Sequence, residues 1–219
     1  MGLGNPGPRF QDTRHNAGFW FIDKLAALAG VSLYKPFFCP WRQAYIKTRE
    51  YTVLLVKPLT YMNESGKILP RLRHHFPFQN DQILVAVDQM DLSPGRLRLK
   101  PKGSDAGHNG VKSLREALGT ETFRRLTIGI GRPYDGSKVL EHVLGEMPSE
   151  QRDLVDHALS QAAQLFLDQL RESLLMQDMP KKEKSQPWSE LHFWEHYQNE
   201  LNRSRTASFP SSGLIPEAP

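Results

Sequence analysis

Apolar side chains recur at helical spacing through residues 16–29, at Phe19, Ile22, Leu25, Ala26 and Ala29, and Gly30 closes the run. That spacing predicts a helix with one buried face. Residues 44–48 and 51–57 alternate or run apolar with β-branched character about the polar pair Arg49-Glu50, which predicts a hairpin ending in a turn at Pro58. Residues 65–76 read as a second helix, and residues 82–87 as a strand buried on both faces. Residues 96–100 alternate after a Ser-Pro-Gly turn. Residues 111–118 are helical up to Gly119, residues 125–131 alternate again, and residues 149–176 form a long amphipathic helix opening on a Ser149-Glu150 cap signal. A strand stub precedes the first Gly/Pro turn. Interleaved strands and helices predict an α/β domain with a twisted mixed sheet flanked by helices.

Past Met179 the pattern changes. Residues 180–187 are a polar linker; then Trp188, Leu191, Trp194, Tyr197 and Leu201 recur every three or four positions, predicting an extra amphipathic helix. A Ser/Pro-rich end is expected to be disordered. With 219 residues the chain suits one domain and a tail. The expected division is a domain over residues 1–178, a linker and helix over 179–203, and a tail over 204–219. No apolar run approaches the ~20 residues of a membrane span. The N-terminus has neither a secretory nor a transit pattern, so cytoplasmic residence is the default. Cys39 is the single cysteine, which excludes an internal disulfide and a cysteine-rich metal site. Net charge is +4, but residues 177–219 hold five Lys/Arg and six Asp/Glu of the 28 and 24 in the chain, so the body alone carries +5. A polyanion partner such as RNA is compatible with that surplus.

Three motifs compete for attention. Gly2-Leu-Gly4-Asn-Pro-Gly7 matches the dinucleotide fingerprint G-x-G-x-x-G, yet only Met1 precedes it and Pro8 follows it, so the strand and helix that the fingerprint requires are missing. His192-Phe-Trp-Glu195-His196 matches the inverted zinc-peptidase pattern, but its flanking aromatics suit a packed amphipathic helix. Gly129-Ile-Gly131-Arg132-Pro133 lacks the Gly-Lys-Ser/Thr ending of a phosphate loop and reads as a strand end.

A dispersed set carries more chemistry: Asn5-Pro-Gly7, Thr13-Arg-His15-Asn16-Ala-Gly18, Tyr61-Met-Asn63-Glu-Ser-Gly66, Val87-Asp88-Gln-Met-Asp91 and Gly107-His108-Asn109-Gly110. Each falls at a strand end or helix start, where α/β proteins assemble sites. An aspartate just after a buried strand can accept from one imidazole nitrogen and leave the other to take a proton from water. Asparagines can grip peptide groups and face an oxyanion without adding charge. Each motif alone has a bland alternative: Asn in Asn-Pro-Gly is a turn residue, and His15, Asp88 and Asp91 are all placed to cap the next element. No serine or cysteine stands in a nucleophile elbow, so an activated water is the expected attacker.

Together these blocks, in this order and spacing, resemble the bacterial and organellar peptidyl-tRNA hydrolases over roughly residues 1–176. GLGNPG, TRHNAG, PLTYMNESG, VAVDQMDL, GHNGVKSL and RLTIGIGRP are the family's landmarks. The resemblance implies a monomeric α/β enzyme without metal or cofactor that cuts the ester of peptidyl-tRNA. It places the base at His15 and its orienting acid at Asp88. Substrate contacts fall on Asn5, Phe10, Tyr61, Met62, Asn63 and Asn109, and phosphate contacts to tRNA on Arg98, Lys100, Lys102, Arg132 and Lys138. The chain departs from the family pattern in several places. The first strand is nearly absent, Phe10 stands for a tyrosine, and Thr127 for a basic residue that Arg125 or Arg132 would replace. Asp105 puts a carboxylate into a loop that is usually neutral or basic, and the tail has no counterpart. Those departures motivate a second reading, a catalytically retired RNA-binding relative.

Overall fold

The computed structural model describes residues 1–48, 52–133, 138–175, 197 and 199–201. Strands β1 (Trp41–Lys47) and β2 (Thr52–Pro58) pair antiparallel, with Trp41 opposite Pro58. Strand β3 (Leu84–Gln89) runs parallel to β5 (Arg124–Gly129), which pairs on its other side with antiparallel β4 (Leu97–Lys100). The stub at the amino end joins these two groups: Gly2 N donates to Val56 O at 3.0 Å, Leu3 N to Ala86 O at 2.9 Å, and Ala86 N to Met1 O at 2.8 Å. Short as it is, the stub therefore satisfies the backbone of both neighbours and makes one mixed sheet.

Alternation along β3 separates the two cores. Ala86 packs on the face covered by α1 (Ala17–Leu28) and α5 (Ser149–Leu175), with Leu126, Ile128, Leu159 and Phe166. Val85 and Val87 belong to the opposite core with Leu3, Leu72 and Leu114, beneath α2 (Leu69–His75) and α3 (Asn109–Leu118). Strand period two thus yields a helix–sheet–helix sandwich.

Up to residue 175 the predicted elements recur with shifted ends, while the predicted linker, most of the extra helix and the tail lie outside the described residues. Residues 14–16 are a 3-10 turn before α1, and the second helix is a seven-residue 3-10 segment, Met62–Ile68, that continues into α2. Asp88 lies within β3, two residues beyond Ala86, rather than after the strand. A short helix that the sequence pattern did not announce, α4 (Val139–Leu144), precedes α5. Gly2 and Gly4 are explained by packing: an added Cβ would meet Gly18 O at 2.2 Å and the Phe19 ring at 2.6 Å. Gly2 and Gly4 let α1 lie against the stub, and Gly7 takes a φ of 104, so no nucleotide is needed to account for the glycines of the fingerprint-like motif. Tyr197 is fully buried against α5, its hydroxyl donating to Ala162 O at 3.1 Å, and Leu201 is buried beside it. The His192-to-His196 motif lies outside the described residues.

Candidate active site

Asp88, two residues beyond Ala86, shares its face of β3 and so lies on the side of the sheet that α1 covers; His15 stands two residues before that helix. Its ring reaches the carboxylate, with Nδ1 3.1 Å from both Oδ1 and Oδ2. A second imidazole arrives from the other face. His108, the N-cap of α3, places Nε2 2.8 Å from Asp88 Oδ1, while its Nδ1 accepts from Gly110 N at 3.1 Å and Val111 N at 3.3 Å. Two backbone donors aimed at Nδ1 require a lone pair there, which puts the proton of His108 on Nε2, where it donates to Asp88. The exposed fractions of the three side chains are 12% for His15, 3% for Asp88 and 9% for His108.

Burial works against the charge on Asp88, but electrostatic attraction to the two imidazoles and their hydrogen bonds outweigh it, holding the carboxyl well below the usual range. For His15, burial lowers the pKa, and the charge and hydrogen bond of Asp88 more than offset it, so the net shift is upward from 6.5. With Nδ1 directed at Asp88, the His15 Nε2 is the nitrogen left to take a proton. His15, Asp88 and His108 are close enough to share a metal ion. The donor set does not suit one, since His108 would have to ligate through the nitrogen that carries its proton.

The amides are arranged by hydrogen bonds. Asn16, which the sequence offered only as part of a motif, is buried; its Oδ1 accepts from Asn5 N at 2.7 Å and its Nδ2 donates to Asn5 O at 3.0 Å. Asn5 Oδ1 in turn accepts from Met62 N at 2.8 Å. The acceptor end of the Asn5 amide is thereby engaged with the backbone of the Asn63 segment. Met62 is buried, and Asn63 and Asn109 are exposed. Phe10 and Tyr61 meet edge to face at 6.4 Å along the rim, with the Arg9 guanidinium over Phe10 at 4.4 Å.

The basic candidates do not gather at the carboxylate. Arg98 and Lys102 are exposed and Lys100 half-buried along the β4 edge, and Lys138 is exposed just before α4. Arg132 is ion-paired: Nε donates to Asp91 Oδ1 at 2.7 Å, with Nη2 also on that oxygen. Arg125 cannot stand in for the missing base at Thr127. It is buried, over the Phe123 ring at 4.3 Å, and donates to Ser104 O and Glu121 O. Thr127 is buried as well and donates to Arg98 O at 2.9 Å. Asp105 braces its own loop by accepting from Gly107 N at 3.0 Å and pairing with Arg115 at 2.6 Å.

The family model for peptidyl-tRNA hydrolase matches residues 1–187. The chain belongs to the peptidyl-tRNA hydrolase family. Among curated members, the peptidyl-tRNA hydrolase of Geobacillus kaustophilus is 46% identical over 166 residues, spanning 74% of this chain and 87% of that one. That of Bacillus subtilis is 43% identical over 162 residues, spanning 74% and 85%. The crystal structure of peptidyl-tRNA hydrolase from Acinetobacter baumannii superposes with a TM-score of 0.76 at 32% identity, covering 92% of each chain. The peptidyl-tRNA hydrolase fold therefore extends over the same interleaved elements that the hydrophobic pattern predicts.

His108 is the site residue that sequence reasoning missed. Its signal was present, a histidine directly before a helix that begins Asn109-Gly110, but nothing in that spacing tells that its ring reaches a strand twenty residues away. Asn16 was similarly hidden, because its partner is backbone.

Proposed function

We propose that this chain hydrolyses the ester joining a peptide to tRNA, with His15 as general base, Asp88 as its orienting acid, and Asn5, Asn63 and Asn109 around the scissile group. The observation that carries the reading is the His15 Nδ1 contact of 3.1 Å to both Asp88 oxygens, which leaves Nε2 to work on water. Water attacks the ester carbonyl as its proton passes to His15 Nε2, and the oxyanion faces side-chain amides. Collapse breaks the bond to the ribose oxygen, which takes the proton back from His15. The products are a peptide with a free carboxylate and a tRNA with its hydroxyl restored.

No helix among the described residues is long and apolar enough to cross a membrane. We read the protein as a cytoplasmic monomer that needs no metal or cofactor; the protonated Nε2 of His108 argues against a metal at Asp88. Phe10 and Tyr61 line the acyl side, and Arg98, Lys100, Lys102, Arg132 and Lys138 approach tRNA phosphates. Converting His15 to alanine is expected to lower turnover of a model peptidyl-tRNA by roughly 10²-fold or more without changing tRNA affinity. Wild-type turnover in that variant would remove His15 from the mechanism, and inactivity of the unmodified chain would favour the retired RNA-binding relative.

A further inference from the structure

Among the described residues, the two most exposed large apolar side chains are not at the carboxylate. Phe37 is 84% exposed and Phe38 76%, with their rings 4.0 Å apart. Phe38 sits at φ 59, a conformation that bulky side chains rarely adopt, and the backbone is held there by Arg71 Nη1, which donates to Phe38 O at 2.9 Å. A strained loop that presents two aromatic rings to water is not accounted for by packing. Its position is tied to the candidate site. Pro40 O accepts from Leu59 N at 2.8 Å, and Leu59 leads through exposed Tyr61 to Met62, which bonds Asn5. Along that path the ring pair stands within about 25 Å of the Asn5 contact, the reach of about seven extended residues.

We propose that Phe37 and Phe38 form a distal apolar anchor for the acyl chain of the substrate, several peptide residues away from the ester. The inference rests on the hydrolase reading above, in which the ester lies at the carboxyl end of β3. The candidate phosphate contacts lie toward β4, on one side of that point, and the rings lie toward β1, on the other. A substrate with RNA on one side of the ester must send its peptide to the other side. The ring pair itself is apolar, which suits peptide side chains better than a phosphate backbone. Arg71 is engaged by Phe38 O, Lys67 by Glu64, and Arg73 by Asn80 and the Phe78 ring, while Lys35 and Arg42 are exposed near the rings.

The test compares two substrates carrying the same tRNA, one with a single N-acetylated amino acid and one with an N-acetylated peptide of about eight residues rich in Leu and Phe. With Phe37→Ser and Phe38→Gly combined, KM for the long substrate is expected to rise about tenfold or more, while KM for the short one and both kcat values hold. Glycine suits the backbone at residue 38, so the thermal midpoint should not fall. Unchanged KM on both substrates would overturn the proposal, and an equal rise on both would reassign the rings to RNA. A wild-type chain inert on both would remove the hydrolase reading and this inference together.

Discussion

Asp88 keeps its charge in a nearly closed site because two imidazole N–H groups donate to it, and that arrangement fixes what His15 can do. In the proposed mechanism the neutral ring is the working base, and its pKa is raised by the carboxylate beyond what burial takes away. Below the raised pKa the ring is protonated and cannot accept from water, so the rate should climb with pH through a value above 6.5 and then level. Replacing Asp88 with asparagine removes the charge and leaves burial, which acts downward. The acid limb should move to lower pH while the plateau falls on the order of 10²-fold. A pH–rate profile of kcat checks both parts, and a limb that stays in place would detach Asp88 from the base. At this scale the resemblance supplied His15 and Asp88, but the tautomer lock on His108 was not legible, because it depends on backbone donors that exist only once α3 has formed.

The elements that position the amides meet at one tight contact. Gly66, in the 3-10 segment Met62–Ile68, has no room for a side chain: an added Cβ would lie 2.1 Å from Ser113 O on α3. Gly66 N also donates to Ser113 Oγ at 3.0 Å. This contact holds the segment bearing Asn63 against the helix that His108 caps and Asn109 begins, so Gly66→Ala should separate the two halves of the proposed substrate cradle. Overpacking of this kind costs about 2 kcal/mol. The thermal midpoint is expected to drop by roughly 4–8 °C, with a raised KM for peptidyl-tRNA. A variant with wild-type KM would show that the two segments need no mutual fit. Sequence periodicity found the core of this element, since Leu69 and Leu72 are buried as a helix face requires. It could not find the 3-10 winding of the first half, which a glycine against a neighbouring carbonyl makes possible. Nor did it find α4, a helix of six residues with one buried side chain and too short for a period to register.

Across the whole molecule, the surplus positive charge matters only where it has no acidic partner. Strand alternation sends Leu97 and Leu99 into the core and leaves Arg98 and Lys100 together on the other face of β4. Arg132 belongs to the same sequence-level set, yet its guanidinium is matched by Asp91. If tRNA is held through phosphates, affinity must fall with salt, and each contact contributes about one unit to the slope of log K against log salt. Changing Arg98 and Lys100 to glutamine should flatten that slope by about two, uniformly across tRNA sequences. Arg132→Gln should change it less, because removing a neutralised charge releases few counterions. Asp91→Asn should do the opposite and tighten binding, most visibly at low salt, where an unpaired Arg132 becomes free to meet a phosphate. Filter or fluorescence titrations of uncharged tRNA over a salt series would decide. Equal losses from Arg98, Lys100 and Arg132 substitutions would mean that the Asp91 pair opens on binding, and that the basic edge must be counted by charge rather than by the partners each side chain keeps in the free protein.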